Sequence, residues 1–112
     1  MKSSNLQKQP PNMTNYEKEY RDFSLSVPER FSFPIDVFDK WENRLALFWT
    51  DGTIEKKLTF NELKNLSSKG AGAFKNMGIN KGDKVLVMLP NIPEWWEVML
   101  GLMRLNAVPI PA

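Results

Sequence analysis

Cys and His are both absent from this sequence, so its chemistry must come from carboxylates, lysines, hydroxyls and tryptophans. Those two zeros remove disulfides, thiolate nucleophiles and thiolate metal sites, together with the commonest general base and zinc ligand. Asp36 and Asp39 share one expected helix face, as do Glu94 and Glu97, and paired carboxylates can bind a hard cation or divide acid and base roles. Neither pair has a third ligand near it in the sequence, so dipole compensation and solvation account for them better. Lys69-Gly70-Ala71-Gly72-Ala73-Phe74-Lys75 has the composition of a phosphate-cradling glycine loop. Such a loop follows a strand and opens a helix, whereas these glycines fall about three turns inside a helix begun at Thr59, where they suit close helix packing. Trp95-Trp96 could form a ligand platform, but adjacent helix positions point about 100° apart. One ring is expected on the sheet and the other on a neighbouring helix, with Trp41, Phe48 and Trp49 also in packing roles. No residue stands out as a catalyst, and none is assigned a catalytic, cofactor-binding or metal-binding role.

The elements that would position these residues follow from periodicity and caps. Thr14 and Glu17 form a capping-box pattern ahead of Tyr16, Tyr20 and Phe23 at helical spacing, which predicts a short helix over 15–23. Residues 24–33 read as an irregular or extended connection. Pro34 opens a second helix, with Ile35, Phe38 and Trp41 on its apolar face, ending near Asn43. Asp51-Gly52 between apolar runs at 45–50 and 54–58 predicts a β-hairpin. Thr59 and Glu62 form another capping box; Leu63, Leu66, Gly70, Ala73, Phe74 and Met77 carry a helical stripe to Gly78, a left-handed stop. Beyond the Lys81-Gly82-Asp83 turn, residues 85–89 are an unbroken apolar run, as in a strand buried on both faces. Asn91 caps a helix that has Pro93 in its first turn and runs to Leu105; Asn106 turns left-handed, and 107–112 is a second strand. The order gives an α/β fold of N-terminal helices, a β-hairpin and one βαβ unit with parallel strands and a right-handed crossover.

Length and composition bound the function. A chain of 112 residues has room for one domain, and 42% apolar with 25% charged residues is ordinary globular usage. A net charge of +2, with lysines scattered, gives no basic stripe, so nucleic acid is not an expected partner. Pro90, Pro93, Glu94, Glu97 and Arg104 interrupt the longest apolar stretch, so no membrane insertion is expected. Residues 1–14 are polar, contain Pro10 and Pro11, and lack the apolar run of a secretory signal; they read as a flexible tail on a cytoplasmic protein. In that setting the Asn-x-Ser/Thr matches at Asn12 and Asn65 carry no glycosylation signal. A parallel strand pair needs further strands and a second helix layer. The chain stops on its second strand.

Taken together, these motifs resemble the N-terminal part of AMP-forming acyl-CoA synthetases, the adenylate-forming superfamily. Leu58-Thr59-Phe60-Asn61-Glu62-Leu63 is similar to that superfamily's first core motif, with Phe60 in place of Tyr. Lys81 to Val85, Leu89-Pro90-Asn91 and Pro93-Glu94-Trp95 are similar to its following strand and helix, and Leu102 to Pro111 to its second core motif, with Asn106 where Gly is usual. Val27 to Phe33, Asp36-Val37, Asp39-Lys40-Trp41, Trp96 after Pro93-Glu94-Trp95, and the ending Val108-Pro109-Ile110-Pro111 resemble the medium-chain members specifically. The resemblance runs from about Tyr16 to Ala112.

The resemblance implies that 15–112 is a partial N-terminal domain of an AMP-dependent synthetase or ligase, the truncated start of the large N-terminal domain. The family joins a carboxylic acid to CoA through an acyl-adenylate, using ATP, Mg and CoA. Its phosphate loop, magnesium-binding Glu, C-terminal-domain Lys, ribose-binding Asp and acyl pocket match no position here. The expectation is therefore a fragment of an acid-CoA ligase that is inactive by itself and binds no cofactor, with the remainder of a synthetase as partner if that is supplied separately. The alternative is a non-catalytic scaffold or interaction module, derived from the synthetase start, that exposes its apolar sheet edge and the Trp95/Trp96 helix.

Overall fold

A computed structural model describes residues 14–112. The flexible tail expected at 1–14 lies outside the described residues apart from Thr14.

Helix α1 spans Tyr16–Asp22 and buries no residue. Its cap is Asn15, whose side chain accepts from the Lys18 N–H at 3.2 Å. The expected Thr14/Glu17 box is therefore corrected by one residue, in keeping with the stronger N-capping of Asn. The single helix expected from Pro34 to Asn43 is also corrected: one π-helical turn, Phe33–Val37, passes into a 3-10 turn, Phe38–Lys40. The Asp36 carboxylate accepts the Ser32 N–H at 2.7 Å and fixes the entry, while Trp41 is already extended at φ −69°, ψ 143°. The expected apolar face splits accordingly. Phe38 and Trp41 meet the Phe60 ring at 5.1 and 5.8 Å between centroids, and Ile35 stays exposed.

Strands β1 (Leu45–Thr50) and β2 (Glu55–Thr59) pair antiparallel. The hairpin forms with its second strand one residue later than expected, because the connection is a four-residue loop. The Asp51 carboxylate accepts from the Thr53 and Ile54 N–H groups, each at 2.8 Å; only Gly52 takes a positive φ, +93°.

Helix α2 (Phe60–Asn76) begins with the full Thr59/Glu62 capping box. It ends where Gly78 (φ +92°) turns the chain: the Gly78 N–H bonds to the Lys75 carbonyl and the Ile79 N–H to the Phe74 carbonyl, the Schellman arrangement. Strands β3 (Lys84–Val87) and β4 (Val108–Pro111) are parallel, and helix α3 (Pro93–Arg104) is the crossover between them. Asn106 takes the expected left-handed conformation at φ +55°. Asn91 does not cap α3; the cap position is Ile92, with no side-chain bond, and Pro93 opens the helix without needing an N–H partner.

The core is Val87, Met99, Leu102 and Ala107, joined by Phe74, Ile79, Val85, Leu89 and Trp95. All of it lies on the helix side of the β3–β4 pair. The expectation that the 85–89 strand is buried on both faces is thus corrected: Leu86 is 60% and Met88 73% exposed, since the described residues form one helix layer only.

Candidate functional site

The buried polar atoms converge at one junction. Arg104, the last residue of α3, donates two hydrogen bonds to the Asp39 carboxylate, at 2.9 and 2.6 Å, and a third from Nε to Ser67 Oγ at 2.9 Å. Ser67 is fully buried on α2 and donates to the Lys64 carbonyl at 3.1 Å. Lys64 Nζ lies 3.9 Å from the same Asp39. Three elements distant in sequence therefore meet on one guanidinium, whose planar fork suits a carboxylate. The Arg104 hydrogen bonds hold the Asp39 carboxyl below the ordinary carboxylate value against the opposing effect of burial, with the charges of Arg104 and Lys64 assisting.

That geometry revises the acidic pairs. Asp36 and Asp39 do not act together: Asp36 closes on Ser32 and on Lys40 at 3.7 Å, whereas Asp39 is enclosed by Arg104, not solvated. Glu94 pairs with Lys56 of β2 at 3.0 Å, and its own backbone N–H, followed by the Lys56 ammonium, lowers its pKa. Among the described residues, no three His, Cys, Asp or Glu side chains group as a metal site.

The glycine-rich stretch sits inside α2, as its spacing required. A Cβ on Gly70 would lie 3.7 Å from the Glu97 carbonyl of α3, an ordinary contact. The tight contact is Gly101 on α3, where a Cβ would stand 3.2 Å from both the Ala71 N and the Ser67 O. Sequence reading passed over Gly101, although its spacing before Arg104 puts it on the same side of α3. Of the stretch Lys69 to Lys75, Gly70, Ala71 and Phe74 meet α3 while Gly72 faces open space, and running inside a helix it does not form a phosphate cradle.

Trp95 and Trp96 meet edge-on with centroids 4.9 Å apart. Trp95 reaches the core as expected, and Trp96 is 47% exposed. Together with Leu89, Pro90 and Asn91 they line a shallow cleft of about 350 Å³. The Trp49 indole N–H bonds to the Asn91 carbonyl at 2.7 Å, tying the hairpin to the start of α3. Arg44 lies 4.8 Å over the half-exposed Trp41 ring, and Lys57 5.2 Å over Phe48. These groups brace elements against one another and bring no nucleophile beside a base.

Residues 36–112 match the family model described as AMP-binding enzyme. The chain belongs to that family. It is 40% identical over 113 residues to the rat "Acyl-coenzyme A synthetase ACSM3, mitochondrial", a match covering 91% of this chain and 20% of that protein. It is 36% identical to the human "Acyl-coenzyme A synthetase ACSM4, mitochondrial", covering 76% of this chain and 17% of that protein. The chain thus spans about a fifth of the length of the curated relatives it matches. Among solved structures, the Klebsiella oxytoca NpsA N-terminal subdomain superposes with a TM-score of 0.64 at 32% identity, over 72% of this chain and 21% of that one. The Brucella canis acyl-CoA synthetase gives 0.58 at 32%, over 62% and 13%. The family member described here is a mixed α/β unit matching the N-terminal part of adenylate-forming enzymes. Its relatives are acyl-CoA synthetases, of which it covers a fragment.

Proposed function

We propose that this chain is the opening segment of the N-terminal domain of an AMP-forming acyl-CoA synthetase, and that its own contribution is to build the scaffold on which the catalytic parts stand. The observation that carries the reading is the family match over residues 36–112. The open apolar side of the β3–β4 pair supports it, since a βαβ unit of this kind is stable with both sheet faces covered. The reaction of the complete assembly is carboxylic acid plus ATP plus CoA giving acyl-CoA, AMP and pyrophosphate, with a medium-chain fatty acid as the acid. The medium-chain assignment draws on the Val27 to Phe33 and Pro93 to Trp96 resemblances.

The residues present do not fit Mg-ATP, because the glycines lie inside helix α2 rather than in a loop that opens one, and Asp39, Asp36 and Glu94 are paired with Arg104, Lys40 and Lys56. No chemical step is assigned to them. The test is acid-dependent ATP–pyrophosphate exchange with octanoate. The purified chain gives no exchange over background; exchange appears when the remainder of a synthetase is supplied with it. Exchange by the chain alone would overturn the reading.

A further inference from the structure

Of the glycines in this sequence, only Gly52 directly follows an aspartate or asparagine. An Asp-Gly bond is chemically labile, because a glycine amide with no Cβ beside it can reach the aspartyl Cγ and close a cyclic succinimide. The pair sits in the exposed loop between β1 and β2, where a Cβ on Gly52 would meet nothing within 4 Å, so packing does not restrain it. Hydrogen bonds restrain both reacting groups instead. The nucleophile, the Gly52 N–H, donates to Thr50 Oγ1 at 3.0 Å. The electrophile, the Asp51 carboxylate, accepts the Thr53 and Ile54 N–H groups on the single oxygen Oδ1, each at 2.8 Å. Those amides, Ile54 before Thr53, hold the carboxyl below its ordinary value, and an ionised carboxylate has no hydroxyl to lose. The backbone bond that closes the loop, from the Asp51 N–H to the Ile54 carbonyl, is long at 3.4 Å. The side-chain bonds therefore carry most of the loop's restraint.

We infer that Asp51-Gly52 is an isoaspartate-forming modification site kept latent by the closed hairpin loop, with the Thr50 hydroxyl and the Thr53 and Ile54 amides occupying the two groups that would react. When the loop opens, the Gly52 nitrogen gives up its proton and bonds to Asp51 Cγ, and the carboxyl hydroxyl leaves with a proton as water. Water then adds back to the succinimide. Opening at the Cγ carbonyl restores aspartate, whereas opening at the α-carbonyl leaves the chain running through Cγ with the α-carboxylate as the side group. The net change is an isomerisation that needs no reagent but water. It inserts one carbon into the backbone of the loop and displaces the oxygen that Thr53 and Ile54 share, just where Thr50 pairs with Glu55. Local opening supplies the reactive state, since an exposed hairpin end opens at far lower cost than the whole molecule.

The experiment incubates the full chain at neutral pH, native and unfolded in urea, and measures isoaspartate at residue 51 by labelling with a protein isoaspartyl methyltransferase followed by peptide mapping. The native chain accumulates isoaspartate at least about tenfold more slowly than the unfolded one. Thr50→Val, which frees the Gly52 amide, speeds the native reaction about fivefold, the equivalent of one hydrogen bond, and leaves the unfolded rate within about twofold of wild type. Thr50→Ser, which keeps a hydroxyl, stays within about twofold of the native wild type. Equal rates in the native and unfolded chains overturn the inference, as does a native Thr50→Val rate equal to that of wild type. If Thr50→Val does not fold, the ratio of native to unfolded rates in the wild-type chain decides.

Discussion

At the scale of single residues, Asp39 and Gly101 decide most. Removing the charge at Asp39 leaves the Arg104 guanidinium, whose side chain is only 10% exposed, without its carboxylate. Breaking one side of an enclosed pair is far costlier than the net worth of the pair. Asp39→Asn should therefore lower stability by about 2–3 kcal/mol at neutral pH, measured by urea unfolding. Because the folded-state pKa of Asp39 is lowered, its contribution is complete above the unfolded value near 3.9 and is lost as pH falls through the folded one. The gap between wild type and Asp39→Asn should accordingly stay constant from neutral pH down to about 5 and close below about 4. A gap that widened in acid would contradict the ion pair. Gly101→Val places a side chain against the backbone of Ser67 and Ala71 and should cost about 2 kcal/mol or more by overpacking. An unchanged melting temperature would show that the helices are not in contact there. Neither residue was legible in the sequence. Asp39 and Arg104 are 65 positions apart, and no local pattern says which of several acids an arginine will meet. Gly101 looks like any tolerated helix glycine until a second backbone is laid across it.

Elements were more legible, in proportion to how local their signals are. The Thr59/Glu62 box, the Gly78 stop and the Asn106 turn formed as read, because each is set within four or five residues; the strand–helix–strand order also formed as read, each of its elements carrying its own local signal. The misplaced details are those where two local signals compete. Asn15 outbids its neighbour Thr14 as cap, and Asp51 spends its carboxylate on two loop amides instead of entering a tight two-residue turn. In the 33–40 segment, Asp36 capping and Pro34 together favour a wide turn over an α-helix. Thr59→Ala should destabilise the protein by about 1 kcal/mol, the ordinary worth of a Thr cap, while Thr14→Ala should change nothing measurable. Thermal melts of the two variants side by side check this; equal losses would restore the Thr14 cap.

At the scale of the molecule, the radius of gyration is 18.6 Å, against about 13 Å for a compact chain of this length. The excess reflects an α1 that buries nothing and a sheet with one covered face. What the family match adds could not be read from packing: the uncovered face belongs to a fold whose relatives are about five times longer. Leu86, Met88, Val108 and Ile110 should make the isolated chain associate with rising concentration. Sedimentation velocity should show that association, and Leu86→Thr with Ile110→Thr should reduce it; a monomer at all concentrations would speak against an apolar face of consequence.

The tryptophan pair lends the protein an optical signature. Two indoles held edge-on at 4.9 Å, one rooted in the core and one facing solvent, have transition dipoles close enough to couple, so α3 should give its own exciton band in the ultraviolet circular dichroism spectrum. Any event that reseats this helix, such as loss of the Arg104 anchor at its far end, is then visible without a label.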